Sequence, residues 1–373
     1  MSGLTLVINL GSSSLKAALL DSQGASIWRG ERNLAAGEEL ETALESWMAP
    51  ALGPHRNTIA RIGHRVVHGG ERFTAATRID AEVEQVLHQL IPLAPLHNPA
   101  ALIGIHWARQ WTRGLAPEPS QWACFDTGFH STLPEAARTY ALAEQLRQKG
   151  FRRFGFHGLN HQHVSETVME QWCQHGREPS QLRLISAHLG AGASLAAISG
   201  GRCIDTTMGY TPMEGLVMAT RSGSVDPGLL LELMREGLTT SEITAQLQES
   251  GGLKGLSGLS GDMREIRAQV LAGHSGAQLA LAVFRHRLLQ GIGAMAASLG
   301  GVDVLALSGG IGEHDQALQT ELKQMLDWIP ALDLQVIPAD EEGMIARLCQ
   351  RAEAVFAEDQ PRSSSGDVDA ALI

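Results

Sequence analysis

The chain opens on a short apolar run, LTLVIN at residues 4–9, followed by the small polar cluster GSSS and a second apolar run, Leu15–Leu20, that stops at Asp21. Apolar β-formers on either side of a Gly/Ser cluster predict a strand, a tight turn and a second strand. The same plan returns at residues 184–198, where LISAH leads into LGAGAS and then LAAI before the Gly200–Gly201 turn. Both stretches read as apolar strand, polar residue, Leu-Gly, small-residue turn, apolar strand, which suggests an internal duplication. A further strand is predicted at VDVLALS (302–308), where GGIGEHD and the helical pattern ALQTELKQML follow. Strand, glycine turn and helix N-terminus together make a seat for an anion or nucleotide. Helical spacing of apolar positions predicts helices at 276–299 and 340–355, while PEPSQ (117–121) and SSSG near 364 read as a loop and a tail. The class is α/β with twisted mixed sheets.

Composition narrows the partners. A chain of 373 residues with 44% hydrophobic content can build two domains with a core each. A net charge of −11, from 29 Lys+Arg against 40 Asp+Glu, argues against nucleic acid, which needs basic stripes. The start, MSGLTLVINLGSSS, lacks the basic and continuous apolar parts of a signal peptide, and no run reaches the roughly 18–20 apolar residues of a membrane span, so the expected location is the cytoplasm, with no membrane partner. Cys124, Cys173, Cys203 and Cys349 form no CxxC pair and read as buried or bystander thiols. His161-Gln162-His163 lacks a third ligand at the usual spacing and reads as a pair of surface residues, so no transition metal is expected. The tryptophans are scattered and form no stacking ladder.

Candidate chemistry concentrates in a few segments. Asn9-Leu10-Gly11-Ser12-Ser13-Ser14-Leu15-Lys16 gathers an amide, hydroxyls and a lysine around backbone N–H groups at a strand end, a set that can follow phosphate oxygens. It is not a Walker loop, which needs GxxxxGK[ST]. Polar residues also cluster in GHRVVHGG (63–70), PLHNP (95–99), FDT (125–127), RRFGFHG (152–158) and TRSG (220–223). Arginines beside glycines suit a planar carboxylate or a flattening phosphoryl group, because the guanidinium fork stays charged and donates in pairs. Each arginine taken singly also fits a surface ion pair.

In order, NLGSSSLK, GHRVVHGGE, PLAPLHNP, FDTGFHSTLP, RRFGFHG, HLGAGAS, DTTMGYTPMEGLVMATRSG, SGDMREI, SGGIGEH and DEE resemble the acetate kinase (acetokinase) family from about residue 4 to about residue 347. That family lies within the acetate and sugar kinase, actin and heat-shock ATPase superfamily. The resemblance implies two related actin-like ATPase domains, with mixed twisted sheets flanked by helices and a nucleotide cleft between them. The first would comprise 1–128 plus 344–373, and the second 129–343 with the dimer interface. The implied reaction moves the γ-phosphoryl group of ATP onto acetate with Mg²⁺, or Mn²⁺ in its place, giving acetyl phosphate and ADP in a homodimer. Propionate kinase is the alternative acceptor reading, and an ATP-regulated binding protein of the actin or chaperone type is the alternative class.

Residue by residue, the resemblance implies that Asn9, Ser12, Ser14 and Lys16 lie by the phosphates and metal, with Glu341 the magnesium-associated carboxylate. Arg65 and Arg221 would flank the moving phosphoryl group and the acetyl-phosphate oxygens, His157 would donate a hydrogen bond to that group, and Asp126 would orient the arginines or position the substrate. Val67, Leu96, Phe156 and Pro212 would form the methyl pocket. Asp262, Met263 and Arg264, with Gly310, Ile311 and Gly312, align with adenosine-binding segments, and His188 with Gly190, Ala191 and Gly192 aligns with a second phosphate loop. The chain departs from the family at Ala191 and His314, where asparagine is usual, at Met263, where an aromatic is usual, and at GFHGLNH in place of GFHGTSH. A loose anionic transition state needs positioning and positive charge, and a carboxylate nucleophile needs no base. His157 could otherwise be a phosphorylated nucleophile or a structural histidine; the chemistry favours the donor.

Overall fold

The computed structural model describes residues 3–11, 14–35, 37–95 and 97–359, so that Ser12, Leu96 and the SSSG tail lie outside the described residues. The predicted first hairpin is β1 (Leu4–Leu10) and β2 (Ser14–Leu20), paired antiparallel with Asn9 opposite Lys16. Around it form β3 (Ser26–Asn33), β4 (Ile59–Val66), β5 (Thr77–Arg78) and β6 (Ser120–Phe125), in the order β3-β2-β1-β4-β6-β5. The second hairpin is β7 (Arg183–Leu189) and β8 (Ala193–Ser199), with His188 opposite Ser194. It is joined by β9 (Arg202–Thr206), β10 (Val304–Ser308) and β11 (Asp333–Val336) in the order β11-β10-β7-β8-β9.

The duplication read from two hairpins extends to five strands in each sheet. β3, β2 and β1 run antiparallel to one another, and β1, β4 and β6 run parallel. β9, β8, β7, β10 and β11 repeat that order and those directions. Asn9-Leu10-Gly11 and His188-Leu189-Gly190 therefore occupy equivalent places at the mouths of the two hairpins.

The central strands are apolar without alternation because both faces of each sheet are covered. Leu6, Ile8, Leu15 and Leu19 pack on Leu44, Met48 and Trp107 from the helices Leu40–Leu52 and Asn98–Thr112. In the second sheet Ile185, Leu195, Ala197 and Leu305 face the long helix Ser275–Leu299 through Leu281, Phe284, Leu288 and Ile292. The remaining faces are covered crosswise. The helix Gly158–Gln174, which follows the first sheet, packs Val164 and Val168 on the second. Conversely, Glu341–Asp359 follows the second sheet and lays Ile345, Ala346 and Cys349 on Val7, Ala18 and Cys124 of the first. These two helices also touch each other, so the repeats are tied by an exchange of equivalent parts. Ile345 is fully buried in this join, and its truncation to alanine would cost about 2–5 kcal/mol.

Two details correct the linear reading. GGIGEHD is wound into a short helix, Gly309–His314, rather than left as an open turn, and PEPSQ gives up Ser120 and Gln121 to β6. Cys124 and Cys349, far apart in the chain, meet with their sulfurs 3.8 Å apart in the core, while Cys173 is exposed. Among the described residues no helix is long and apolar enough to cross a membrane.

Candidate active site

Parallel pairing of β1, β4 and β6 brings the ends of three strands together. Ile8 sits opposite His64 and Val66 opposite Phe125, so Asn9, Arg65 and Asp126 emerge side by side. Arg65 forks onto Asp126, with Nε 3.0 Å from Oδ1 and Nη2 2.6 Å from Oδ2, and its Nη1 donates to Asn9 Oδ1 at 3.1 Å. Asn9 Nδ2 donates in turn to Glu341 Oε2 at 3.1 Å and to Glu342 Oε1 at 2.7 Å. This bidentate geometry is that of an ion pair. Burial works against the Arg65 charge, but Asp126, Glu341 and Glu342 outweigh it and hold the guanidinium above its ordinary value. Burial likewise opposes ionisation of Glu341, yet Arg65, His188 and Lys16 keep it lowered.

The second hairpin supplies the facing side. His157 stands just ahead of the helix Gly158–Gln174 in a left-handed conformation, φ 56°, that few non-glycine residues adopt. It is locked there by Gly158, whose N–H donates to the Asp126 carbonyl at 2.9 Å; a Cβ on that glycine would come within 2.1 Å of the same oxygen. His157 Nδ1 lies 2.9 Å from Ser194 Oγ of β8, and its ring leans on His188 with centroids 4.3 Å apart. A Cβ on Gly192 would sit 3.0 Å from His157 Nε2 and 3.9 Å from Arg221 Nη1, so these two donors converge above the second loop.

Arg221 differs from Arg65 in having no anion. Its Nη1 donates to the Pro212 carbonyl at 3.0 Å, and among the described residues it forms no salt bridge. Burial, then repulsion from Arg65, lowers its pKa. Burial also drives His157 well below the ordinary imidazole value, assisted by His188, His161 and both arginines, so the ring is neutral. His188 is lowered for the same first reason, and its Nδ1 is buried without a partner among the described residues.

The structure adds residues whose roles the linear reading missed. Asn98 accepts from the His68 N–H and donates to the His68 carbonyl, both at 3.2 Å, which pins the HNP turn to the GHRVVHGG strand end. Neighbouring His97 is thereby brought under the influence of Arg65 and Arg221, and burial with those charges lowers it to about 4. Glu313 Oε1 accepts from the N–H groups of Gly309 and Ala339, both at 2.9 Å, tying the glycine helix to the stretch that leads into Glu341. His161, read from the chain as a surface residue, is fully buried; its neighbour Val164 points into the same core, and Ser186 and Ser194 satisfy its ring. PLHNP and GFHGLNH carried both histidines, but nothing in a linear pattern showed which way they faced.

The other candidates fall into three groups. Val67 and Phe156 share one buried cluster, and Pro212 touches Arg221. Gly190, Ala191, Asp262, Met263, Arg264, Gly310 and Ile311 line a cavity of about 690 Å³. Within it Arg264 is 91% exposed and forks onto Asp262, whereas Met263 is nearly buried. Gly312 is buried behind that wall, against Leu307. Ser14 begins β2 and closes the turn through its carbonyl to the Gly11 N–H, while Lys16 reaches across to Glu31 at 3.5 Å.

A buried arginine paired with carboxylates, a second without one among the described residues, and a nearby cavity of about 690 Å³ fit the needs of a phosphoryl-transfer enzyme. Sequence comparison narrows the class: the model of the Acetokinase family matches residues 32–346, and the chain belongs to that family. It is 42% identical to the acetate kinase of Deinococcus deserti over 99% of this chain and 94% of that one. With the acetate kinase of a Synechococcus sp. it shares 45% identity over 83% of each chain. In three dimensions it resembles the Porphyromonas gingivalis acetate kinase, at TM-score 0.84 and 34% identity, covering 95% of this chain and 100% of that one. It also resembles a propionate kinase from Francisella tularensis, at TM-score 0.83 and 32% identity over 93% and 99% of the two chains.

Proposed function

We propose that this enzyme transfers the γ-phosphoryl group of ATP directly to acetate, reversibly, giving acetyl phosphate and ADP. The observation that carries the reading is Arg221, a largely buried cation without an anion, converging with the neutral His157 Nε2 above Gly192. Such a pair suits an oxyanion that arrives with substrate. Arg65, already held by Asp126 and Asn9, is the fixed cation on the opposite side. Acetate attacks as its carboxylate, so no base is required; the two arginines and the His157 N–H stabilise charge as it spreads over the moving phosphoryl oxygens. Val67 and Phe156, with Leu96 and Pro212, are the proposed walls around the methyl group.

Asn9 and Glu341 are the proposed Mg²⁺ side of the site, open equally to Mn²⁺. The donor chemistry fits a hard cation, since Glu341 uses only Oε2 toward Asn9 and Arg65. Among the described residues no group of three or more His, Cys, Asp or Glu could cage a metal, which agrees with an ion held mainly by phosphate oxygens and water. When bound, the ion neutralises phosphate charge. We assign nucleotide binding to Ser12, Ser14, Lys16, His188, the 190–192 loop and the segments 262–264 and 310–312. The two sheets are the cores of the two proposed domains, 1–128 with 344–373 and 129–343. The exposed Leu229, Leu231 and Met234 of the helix Pro227–Arg235 support a homodimer. A cytoplasmic location follows from the supply of ATP.

Propionate as acceptor is the second reading, favoured by the likeness to the Francisella propionate kinase and by the small value of one methylene, about 1–3 kcal/mol. ADP release measured with acetate, propionate, butyrate or no acceptor separates the readings. Acetate dependence is expected; acceptor-independent ATP hydrolysis would overturn the kinase assignment, and a higher kcat/KM for propionate would transfer it to the second reading.

A further inference from the structure

Behind His157 lies a buried hydrogen-bonded file that the reaction as described does not use. His157 Nδ1 is 2.9 Å from Ser194 Oγ, Ser194 Oγ is 2.8 Å from His161 Nε2, and His161 Nδ1 is 2.8 Å from Ser186 Oγ. Ser186, Ser194 and His161 are each fully buried. We infer that Ser186, His161 and Ser194 are positioning residues that fix the tautomer of His157, keeping its proton on Nε2, where the phosphoryl group is to be met. The inference rests on the reading of His157 as a hydrogen-bond donor.

Each hydroxyl has one proton and two lone pairs, so with both rings neutral the file has two continuous senses, while an arrangement in which Ser194 accepts from both rings would strand the Ser194 proton, which has no other partner among the described residues. In the first, Ser186 O–H donates to His161 Nδ1, His161 Nε2–H donates to Ser194, and Ser194 O–H donates to His157 Nδ1. The His157 proton is then on Nε2, facing the gap beside Arg221. In the second sense every donor is reversed. Ser186 would then accept from His161 and have to place its own proton elsewhere, yet among the described residues its hydroxyl has no other partner. The reversed file thus strands a donor in the interior, and it also turns a nitrogen lone pair toward an incoming anion. Burial, which keeps both rings neutral, is what makes the choice of sense matter. The device needs a hydroxyl at 194 and a side chain at 161 that donates to 194 while accepting from 186.

Ser194→Ala removes one hydroxyl at the centre of the file and leaves the metal and nucleotide groups in place. Two readouts are taken on the full-length enzyme: steady-state kinetics, and the ¹⁵N chemical shifts of the His157 ring, assigned by their loss in His157→Asn. The wild type is expected to show an Nε2–H tautomer. Ser194→Ala is expected to lose that single tautomer and to lower kcat roughly 10- to 100-fold, with KM for acetate and for ATP within about twofold of wild type. His161→Gln, whose amide can both donate and accept, should retain most of the activity and the Nε2–H state, while His161→Leu should behave like Ser194→Ala. An Nδ1–H wild type would overturn the inference. So would a Ser194→Ala variant in which the tautomer or kcat, or both, stays unchanged, and, should that variant not fold, a His161→Gln variant that loses the Nε2–H state. Because the ring shifts are read without turnover, a wild type lacking acetate-dependent activity but holding the Nε2–H tautomer would count against the kinase assignment and not against the file.

Discussion

The two hairpins share strand order, pairing and a Leu-Gly mouth, but they have been given opposite electrostatics. At the mouth of β1–β2 the polar residue is Asn9, which is tied into a closed ionic network of Arg65, Asp126, Glu341 and Glu342. At the mouth of β7–β8 it is His188, whose nearest neighbours are neutral, His157, Ser194, two loop glycines and an alanine, while the charges of Glu341, Arg65, Glu313 and Lys16 reach it from other segments. Arg221, also on that side, belongs to another segment and forms no salt bridge among the described residues. The network on the first side is held by hydrogen bonds among its own residues, Arg65 to Asp126 and Asn9, and Asn9 to Glu341 and Glu342, so its arrangement does not wait on the acceptor. An unpaired cation over a bare loop is satisfied only by what binds. The comparison teaches that one strand plan serves both sides and that the difference lies in which side carries the carboxylates.

The largest expected effect comes from removing the arginine that forms no salt bridge among the described residues. Arg221→Ala should lower kcat by a factor on the order of 10² or more, as removal of other transition-state donors does. A normal kcat with only a raised acetate KM would make Arg221 a plain binding residue, and the contrast between the two sides would lose its catalytic meaning.

A second test uses acidity. Burial lowers His64, His68 and His130 to about 4. The unfolded chain takes up their protons at its ordinary value near 6.5 and the folded chain does not, so stability is full above pH 6.5 and declines as pH falls toward 4. At pH 5 each should cost about 2 kcal/mol. His130→Gln should flatten the dependence of unfolding free energy on pH by the share of one histidine; an unchanged slope would mean that His130 titrates normally.

Gly192→Ala would place a methyl group 3.0 Å from His157 Nε2, in the space where the two donors converge. We expect kcat to fall on the order of tenfold with the melting temperature little changed, since the added group meets the site and not the core. Gly11→Ala, on the ionic side, meets the Ser14 hydroxyl at 2.9 Å, a side chain that can turn away, and the Ser14 carbonyl at 3.4 Å, and should do less. Equal losses would erase the asymmetry.

The smallest effect is expected at Ala191, exposed on the wall of the 690 Å³ cavity. A hydrogen bond to a charged group is worth about 1.5–3 kcal/mol where nothing replaces it, so Ala191→Asn should lower the KM for ATP several-fold and leave that for acetate nearly unchanged. A shift in the acetate KM alone would assign the loop to the other ligand.

Much of this was legible in the chain. LTLVIN–GSSS–LKAALL and LISAHLGAGASLAAI showed the repeated hairpin because strands buried on both faces write their pattern directly as apolar runs. The charged pieces Arg65, Asp126 and Glu341 were found by motif, and β1, β4 and β6 do set the first two side by side. What stayed hidden was direction. His161 and His163 are two residues apart, yet the former is fully buried and the latter reaches the Pro338 carbonyl at 3.1 Å, because a helix turns successive side chains by about 100° and only the tertiary fold decides which arc is covered. The meeting of Cys124 with Cys349 was equally unreadable, since it depends on the crosswise exchange of two helices. Nor could the pattern show that Arg65 is paired and Arg221 is not, although the account turns on that difference.

The central claim is that one fixed and one waiting arginine, with a neutral His157, suffice for direct transfer and that no residue of the protein is phosphorylated on the way. The stereochemical course at phosphorus tests it most directly, with ATP made isotopically chiral at the γ-position and acetate as acceptor. A single in-line displacement predicts inversion of configuration in acetyl phosphate. Retention would mean two displacements through a phosphorylated side chain, with His157 the first to suspect, and would contradict the account.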